Sequence, residues 1–298
     1  MQPQNIQQTH LDISVARLSS YRGMFQGADD YQLYGIYCWN EALSSTIFRL
    51  ISITEVVMRN RFHTALSLHL YNQGTSTGIN TSNDWYNHVA LPPKSAGKIR
   101  SETHRFNSRR RVWVPKNSTP SANDIVSKMT FGFWPKLFDA PLPWGQILPN
   151  IVPGHRYKAI SHWSVLRNQD ALYARMDLVN KLRNRIAHFE PIWKQGDLKE
   201  ERRSRQGSPV PAVQFPAPIS PIQAIERLRL IHDRTVGLLK WLSPDRCMDY
   251  LDCHIENHFN WLCSQEGLND YMQLKPGIVM PISKFKRELN SISKHKKV

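Results

Sequence analysis

Between residues 182 and 191 the chain reads Leu182-Arg183-Asn184-Arg185-Ile186-Ala187-His188-Phe189-Glu190-Pro191. An Arg-Asn pair and a histidine thus fall within about one and a half turns of helix. Imidazole is the side chain best suited to moving protons near neutral pH. A guanidinium grips a phosphate through a planar fork of donors. Together these types suggest cleavage of an RNA backbone without a metal. A base takes the proton of the 2′-hydroxyl, the oxygen attacks the adjacent phosphorus in line, and an acid protonates the leaving 5′-oxygen. His188 suits either proton transfer. Arg183 would hold the phosphate and offset the charge that grows on it. Asn184 would orient the imidazole or donate to a phosphate oxygen. One imidazole cannot readily be acid and base at once, so two copies of the site facing each other across a homodimer would supply both.

An Arg followed five residues later by a His is a weak pattern, and the chain holds a second one, Arg227 to His232. Position on the helix separates the two. At about 100° per residue His232 shares a face with Ile225, Leu228, Val236 and Leu239, which makes it a core histidine. His188 points away from the stripe formed by Leu172, Met176, Val179 and Ile186, with Asn184 one turn before it on its own side. Arg183 falls close to that stripe, so its guanidinium must reach past its neighbours or find an acidic partner. A solvated helix end, where cations suit the dipole, is the plain alternative for Arg183, Arg185 and His188. Earlier in the chain Glu55 and Arg59 lie one turn apart, either as a surface ion pair or as polar support beside the Arg183 site.

The whole chain fits a polyanionic partner. Its 298 residues carry 39 Lys and Arg against 24 Asp and Glu, a formal net charge of +15, which points to nucleic acid first and an anionic membrane surface second. Arg100, Arg105, Arg109, Arg110 and Arg111, with Phe106 and Trp113 between them, would hold RNA by phosphate contacts and base stacking. No apolar run reaches membrane-spanning length, and the first residues have neither the basic nor the apolar part of a signal peptide, so a cytoplasmic protein without a membrane partner is expected. No cofactor and no metal is expected. The four cysteines show no CxxC spacing. Cys253, His254, His258 and Cys263 could be read as zinc ligands only against the usual spacing, and buried cysteines beside Phe259 and Trp261 are the better reading. No carboxylate cluster suits magnesium.

The elements that must position these residues are helices. Leu43, Ile47, Leu50, Ile53 and Val57 make one stripe of a helix running from about 39 to 70. Glycines, threonines and serines break the pattern at 72–83, and 84–123 reads as an irregular basic region followed by a short helix near Asp124. Further helices are expected over 170–189, where Pro191 disfavours helical geometry at Glu190, over 221–242, and over 245–264. Residues 194–221, rich in Lys, Arg, Ser and Pro, read as an exposed loop, and the tail Lys294-His295-Lys296-Lys297-Val298 as frayed.

The chain resembles the Abi-like (abortive infection) proteins of the HEPN superfamily. The resemblance rests on Arg17-Leu18-Ser19-Ser20-Tyr21, on Tyr37-Cys38-Trp39-Asn40-Glu41-Ala42-Leu43-Ser44, on Glu55-Val56-Val57-Met58-Arg59-Asn60, on Thr130-Phe131-Gly132-Phe133-Trp134-Pro135-Lys136-Leu137-Phe138, and on the Arg-Asn-x3-His element with its Glu-Pro-Ile-Trp continuation at 190–193. These occur in the family's order over about 17–242. One departure is Phe189, where many relatives have a second histidine. The resemblance implies an all-α, HEPN-like helical bundle at 1–242, with the basic segment 72–123 and the loop 194–221 within it, and a helical C-terminal extension at 243–298. It implies a metal-independent endoribonuclease toxin of phage defence or of a toxin–antitoxin pair, with Arg183, Asn184 and His188 catalytic, Glu55 in support, and products ending in 2′,3′-cyclic phosphate and 5′-hydroxyl. It also implies a homodimer with facing active sites and an antitoxin of protein or RNA. The alternative is a non-catalytic RNA-binding or regulatory module of a defence system, since some relatives lack activity.

Overall fold

In the computed structural model the described residues are 3–118, 120–274, 283, 286, 287 and 289–291. The basic tail 294–298 lies outside them. In chain order the helices are α1 (Ile6–Ile13), α2 (Val15–Met24), α3 (Asp30–Asn72), α4 (Pro93–Thr103), α5 (Ala122–Ser127), α6 (Phe133–Lys136), α7 (Trp144–Ile151), α8 (Ile160–Ser164), α9 (Leu166–Ala187), α10 (Pro221–Leu242), α11 (Pro244–Leu251), α12 (His254–Leu262) and α13 (Gln265–Met272). Three antiparallel strand pairs accompany them: β1 (Gly78–Ile79) with β2 (Ser82–Asn83), β3 (His104–Asn107) with β4 (Val112–Pro115), and β5 (Leu198–Lys199) with β6 (Val213–Phe215). The fold is predominantly α, as the periodicity requires. No helix among the described residues is long and apolar enough to cross a membrane.

By compactness the chain divides into two units, residues 1–39 with 264–298, and residues 40–263. The first packs Leu18, Tyr21, Phe25, Leu33, Ile36 and Trp39 out of water, with the Phe25 and Trp39 rings edge to face at 6.3 Å. Gly35 is required there, because a Cβ would stand 2.0 Å from the Tyr271 carbonyl oxygen.

The second unit holds every residue singled out for chemistry. In it α9 packs against α6, α8 and α10. On α9 Leu172, Met176, Val179 and Leu182 are buried, and on α3 Leu43, Ile47 and Leu50 are buried. Ile53 and Val57 pack against the cluster of Leu50, Leu239, Cys247 and Tyr250. A single stripe understates α3, however: Ile51, Met58, Phe62 and Leu66 are equally dry, because a helix enclosed on several sides buries more than one face. Phe62 meets Trp134 and Trp144 at ring separations of 5.6 and 6.4 Å, which ties α3 to α6 and α7.

Three expectations need correction. The segment expected to be irregular over 84–123 contains regular elements: α4 and the β3–β4 hairpin, whose register places Phe106 opposite Trp113. Strands of four residues carry too few alternating positions to register as a period, and cross-strand aromatic packing supplies what propensity does not. The helix expected over 245–264 is two, α11 and α12, with Cys253 at the break. The loop at 194–221 contains β5 and β6 and is pinned, since Arg205 pairs with Asp170 at 2.6 Å and Arg203 with Asp139 at 2.6 Å.

Candidate active site

The end of α9 is built by its own backbone. His188 is the C-cap, Phe189 takes a left-handed φ of 54°, and the chain leaves at Pro191. The Phe189 N–H donates to the Ile186 carbonyl at 3.0 Å and the Glu190 N–H to the Arg185 carbonyl at 2.9 Å. This is the Schellman closure, in which glycine is usual at the position Phe189 occupies. A phenylalanine there costs about 1 kcal/mol of backbone strain, and it is 76% exposed. The segment beyond is held from below: the Ile192 N–H donates to the buried Asn40 side chain on α3 at 2.8 Å. Two stretches that carry the family resemblance, around Asn40 and at 190–193, therefore meet.

His188 is exposed and its imidazole has no hydrogen-bond partner among the described residues. Arg183 is different. Its guanidinium lies beside Glu55 of α3, Nε to Oε2 3.8 Å, with both side chains less than a third exposed. The other carboxylate oxygen of Glu55 accepts the Phe131 N–H at 2.9 Å. Glu55 is thus the acidic partner that a guanidinium near the apolar stripe demands, and it fastens the 130–138 segment to the same point. It does not pair with Arg59, which donates to the Ser127 carbonyl at 2.9 Å.

Helical geometry then separates Arg183 from His188. Five residues turn about 140° beyond one full revolution, so the two line different cavities. Arg183 and Asn184 line one of about 190 Å³, together with Lys94, Ser95, Lys98, Lys136 and Asn180. His188 and Asn184 line a larger groove of about 820 Å³, closed on its far side by residues from Asp197 to Ser204. Asn184 borders both. Arg183 Nε is buried without a hydrogen-bond partner, so the guanidinium keeps capacity for an anion.

The second Arg-His pair has no such freedom. Arg227 donates to the carbonyls of Gly196, Phe215 and Pro216 at 2.7–3.0 Å. His232 is 2% exposed and stacks on Phe259 at 3.9 Å. Its Nε2 lies 3.0 Å from both Tyr250 Oη and Glu256 Oε2. Burial works to raise the Glu256 carboxyl, but the hydrogen bonds and charge of His232, with Tyr250 and Asn260, outweigh it and hold the group below its ordinary value.

The arginines expected to hold RNA lie on α4 and on the hairpin that follows it. Arg100 is exposed on α4, Arg105 lies on β3, and Arg109, Arg110 and Arg111 form the turn between β3 and β4, all exposed. Phe106 and Trp113 meet edge to face at 5.6 Å and are half exposed. The four residues weighed for zinc are not assembled. Cys253 and Cys263 flank α12 at its two ends, about 15 Å apart along the axis. Cys263 is buried, with its thiol pushed up to about 12 by burial. No three His, Cys, Asp or Glu among the described residues come together so as to hold a metal. The lysine cavity beside Arg183 escaped sequence reasoning, because Lys94, Lys98 and Lys136 stand far from Arg183 along the chain with no shared pattern.

Residues 11–194 match the family model of the Abi-like proteins. No curated protein and no solved structure matches the chain.

Proposed function

The chain belongs to the Abi-like protein family, whose membership implies a part in abortive infection and so in defence against phage, and from that premise we propose that it is a metal-independent endoribonuclease toxin. The bundle is read as HEPN-like, and Arg183, Asn184 and His188 as its catalytic set. The observation that carries this reading is the contrast within α9: a histidine exposed at a closed helix end, and an arginine one and a half turns earlier held by Glu55 with its Nε unspent.

His188 takes the proton of a ribose 2′-hydroxyl as base. The 2′-oxygen bonds to the adjacent phosphorus, the bond from phosphorus to the 5′-oxygen breaks, and that oxygen leaves with a proton from an acid. The products end in 2′,3′-cyclic phosphate and 5′-hydroxyl. Arg183 and Asn184 stabilise the charge gathering on the phosphoryl oxygens. The acid is His188 of a second copy, in a homodimer whose sites face each other. The hairpin arginines, with Phe106 and Trp113, hold the strand by charge and stacking, and an antitoxin of protein or RNA restrains the activity.

RNA cleavage in excess EDTA, with end-group analysis, tests the chemistry. Cyclic-phosphate ends from the wild type and none from His188→Ala are expected. Equal cleavage by both proteins would overturn the assignment, and RNA binding without cleavage by either would favour a non-catalytic RNA-binding module.

A further inference from the structure

The cavity beside Arg183 has a composition that calls for an anion. Lys94, Lys98 and Lys136 line it with Arg183, and no carboxylate does. None of the three lysines has an ion-pair partner among the described residues, and the one polar contact among them runs from Lys98 Nζ to Thr130 Oγ1 at 2.9 Å. Ser95 lines the same cavity. It is 1% exposed, yet its hydroxyl has no hydrogen-bond partner. A buried hydroxyl left unmade costs about 1–3 kcal/mol, a cost that a bound acceptor would remove. Lys94 and Ser95 also lie in the first turn of α4, an eleven-residue helix to which Pro92 brings no side-chain cap. The leading N–H groups of such a helix favour negative charge.

We propose that this cavity is a phosphate-binding subsite, with the buried Ser95 hydroxyl, Lys94, Lys98, Lys136 and Arg183 lining it. At about 190 Å³ it is smaller than the ~300–1,000 Å³ of ordinary small-molecule pockets, which suits a phosphate group without its base and sugar. Asn184 joins it to the His188 groove. A strand crossing α9 at Asn184 places one phosphate against Ser95 and the three lysines and the next, the scissile one, between Arg183 and His188. In that placement the subsite rests on the ribonuclease reading; the anion pocket itself does not.

The test measures binding in full-length His188→Ala protein, so that no cleavage is needed. One arm uses a single-stranded oligoribonucleotide with hydroxyl at both ends, the other inorganic phosphate. Ser95→Ala removes a hydroxyl that has no protein partner, so folding is kept. It is expected to weaken binding about fivefold, the effect of one lost hydrogen bond. Lys94→Ala with Lys98→Ala should flatten the dependence of log affinity on log salt by about 0.7, the share of one phosphate on a single strand. Loss in the RNA arm identifies a strand phosphate, and loss only in the phosphate arm identifies a free anion. Unchanged binding of both probes in both variants, or no binding of either probe by the parent, would overturn the subsite. If the variants bind less while wild-type protein cuts no RNA, the subsite stands and the ribonuclease reading falls. Cleavage with unaltered binding in the variants gives the reverse.

Discussion

Arg183 and His188 stand five residues apart, and so do Arg227 and His232, yet the two pairs live in opposite surroundings. The later pair lies inside α10, where Arg227 spends its donors on three carbonyls and His232 is sealed between Phe259, Tyr250 and Glu256. The earlier pair closes α9, where His188 meets solvent and Arg183 has one carboxylate beside it and an open cavity before it. Identical spacing therefore serves stability in one place and leaves reactive groups available in the other. What decides is where each residue falls around its helix and whether the helix continues past it.

That contrast breaks most sharply on activity. His188→Ala should lower RNA cleavage by about 10,000-fold or more, because the homodimer loses both its base and its acid, each with a usual share of about 100- to 10,000-fold. Its unfolding free energy should move by no more than about 0.5 kcal/mol, as for an exposed site. Gel assays and urea titration on the same preparation check both. His232→Ala should do the opposite. It takes the imidazole beside the Glu256 carboxylate away, at about 1–3 kcal/mol for a partly buried group left without its hydrogen-bond partner, visible as a lower denaturation midpoint.

The arginines sharpen the same distinction. Charge reversal at Arg109, Arg110 and Arg111, exposed at the hairpin turn, should cut RNA affinity about tenfold and flatten its salt dependence by about 2, at about 0.7 for each lost phosphate contact. Unchanged affinity and slope would remove the hairpin from the RNA path. Glu55→Gln keeps an acceptor for the Phe131 N–H but takes the charge from beside Arg183. Cleavage should fall about fivefold, with stability changed by less than about 1 kcal/mol, as for a partly exposed pair. The smallest effect concerns acid. Because the Glu256 carboxyl is held below its ordinary value of 4.5 when folded, the stability it contributes is present above 4.5 and is lost as pH falls through the lower folded value. Thermal melts from pH 6 downward should show that loss, and His232→Gln should weaken it.

Much of this was legible in the residues. The long periodic helices, the burial of His232 and the need for an acid beside Arg183 all follow from 100° per residue and the cost of an unpaired buried charge. The hairpin was not legible, because Phe106 and Trp113 support each other only once the strands have paired. Nor was the run Arg202 to Arg205 separable by composition from Arg109 to Arg111. Arg203 and Arg205 are held by Asp139 and Asp170, partners that only the folded chain brings near. The lysine cavity is the extreme case, assembled from α4, α6 and α9 around a serine with nothing in its own neighbourhood to mark it.

The central claim is that the exposed pair reacts and the buried pair supports. Cleavage rate per folded molecule, measured in EDTA for His188→Ala and His232→Ala beside the wild type, tests it most directly. The account predicts a folded but inactive His188→Ala and a His232→Ala whose folded fraction cuts RNA at nearly the wild-type rate. A folded His188→Ala that cleaves like the wild type, or a folded His232→Ala that does not cleave, would contradict it.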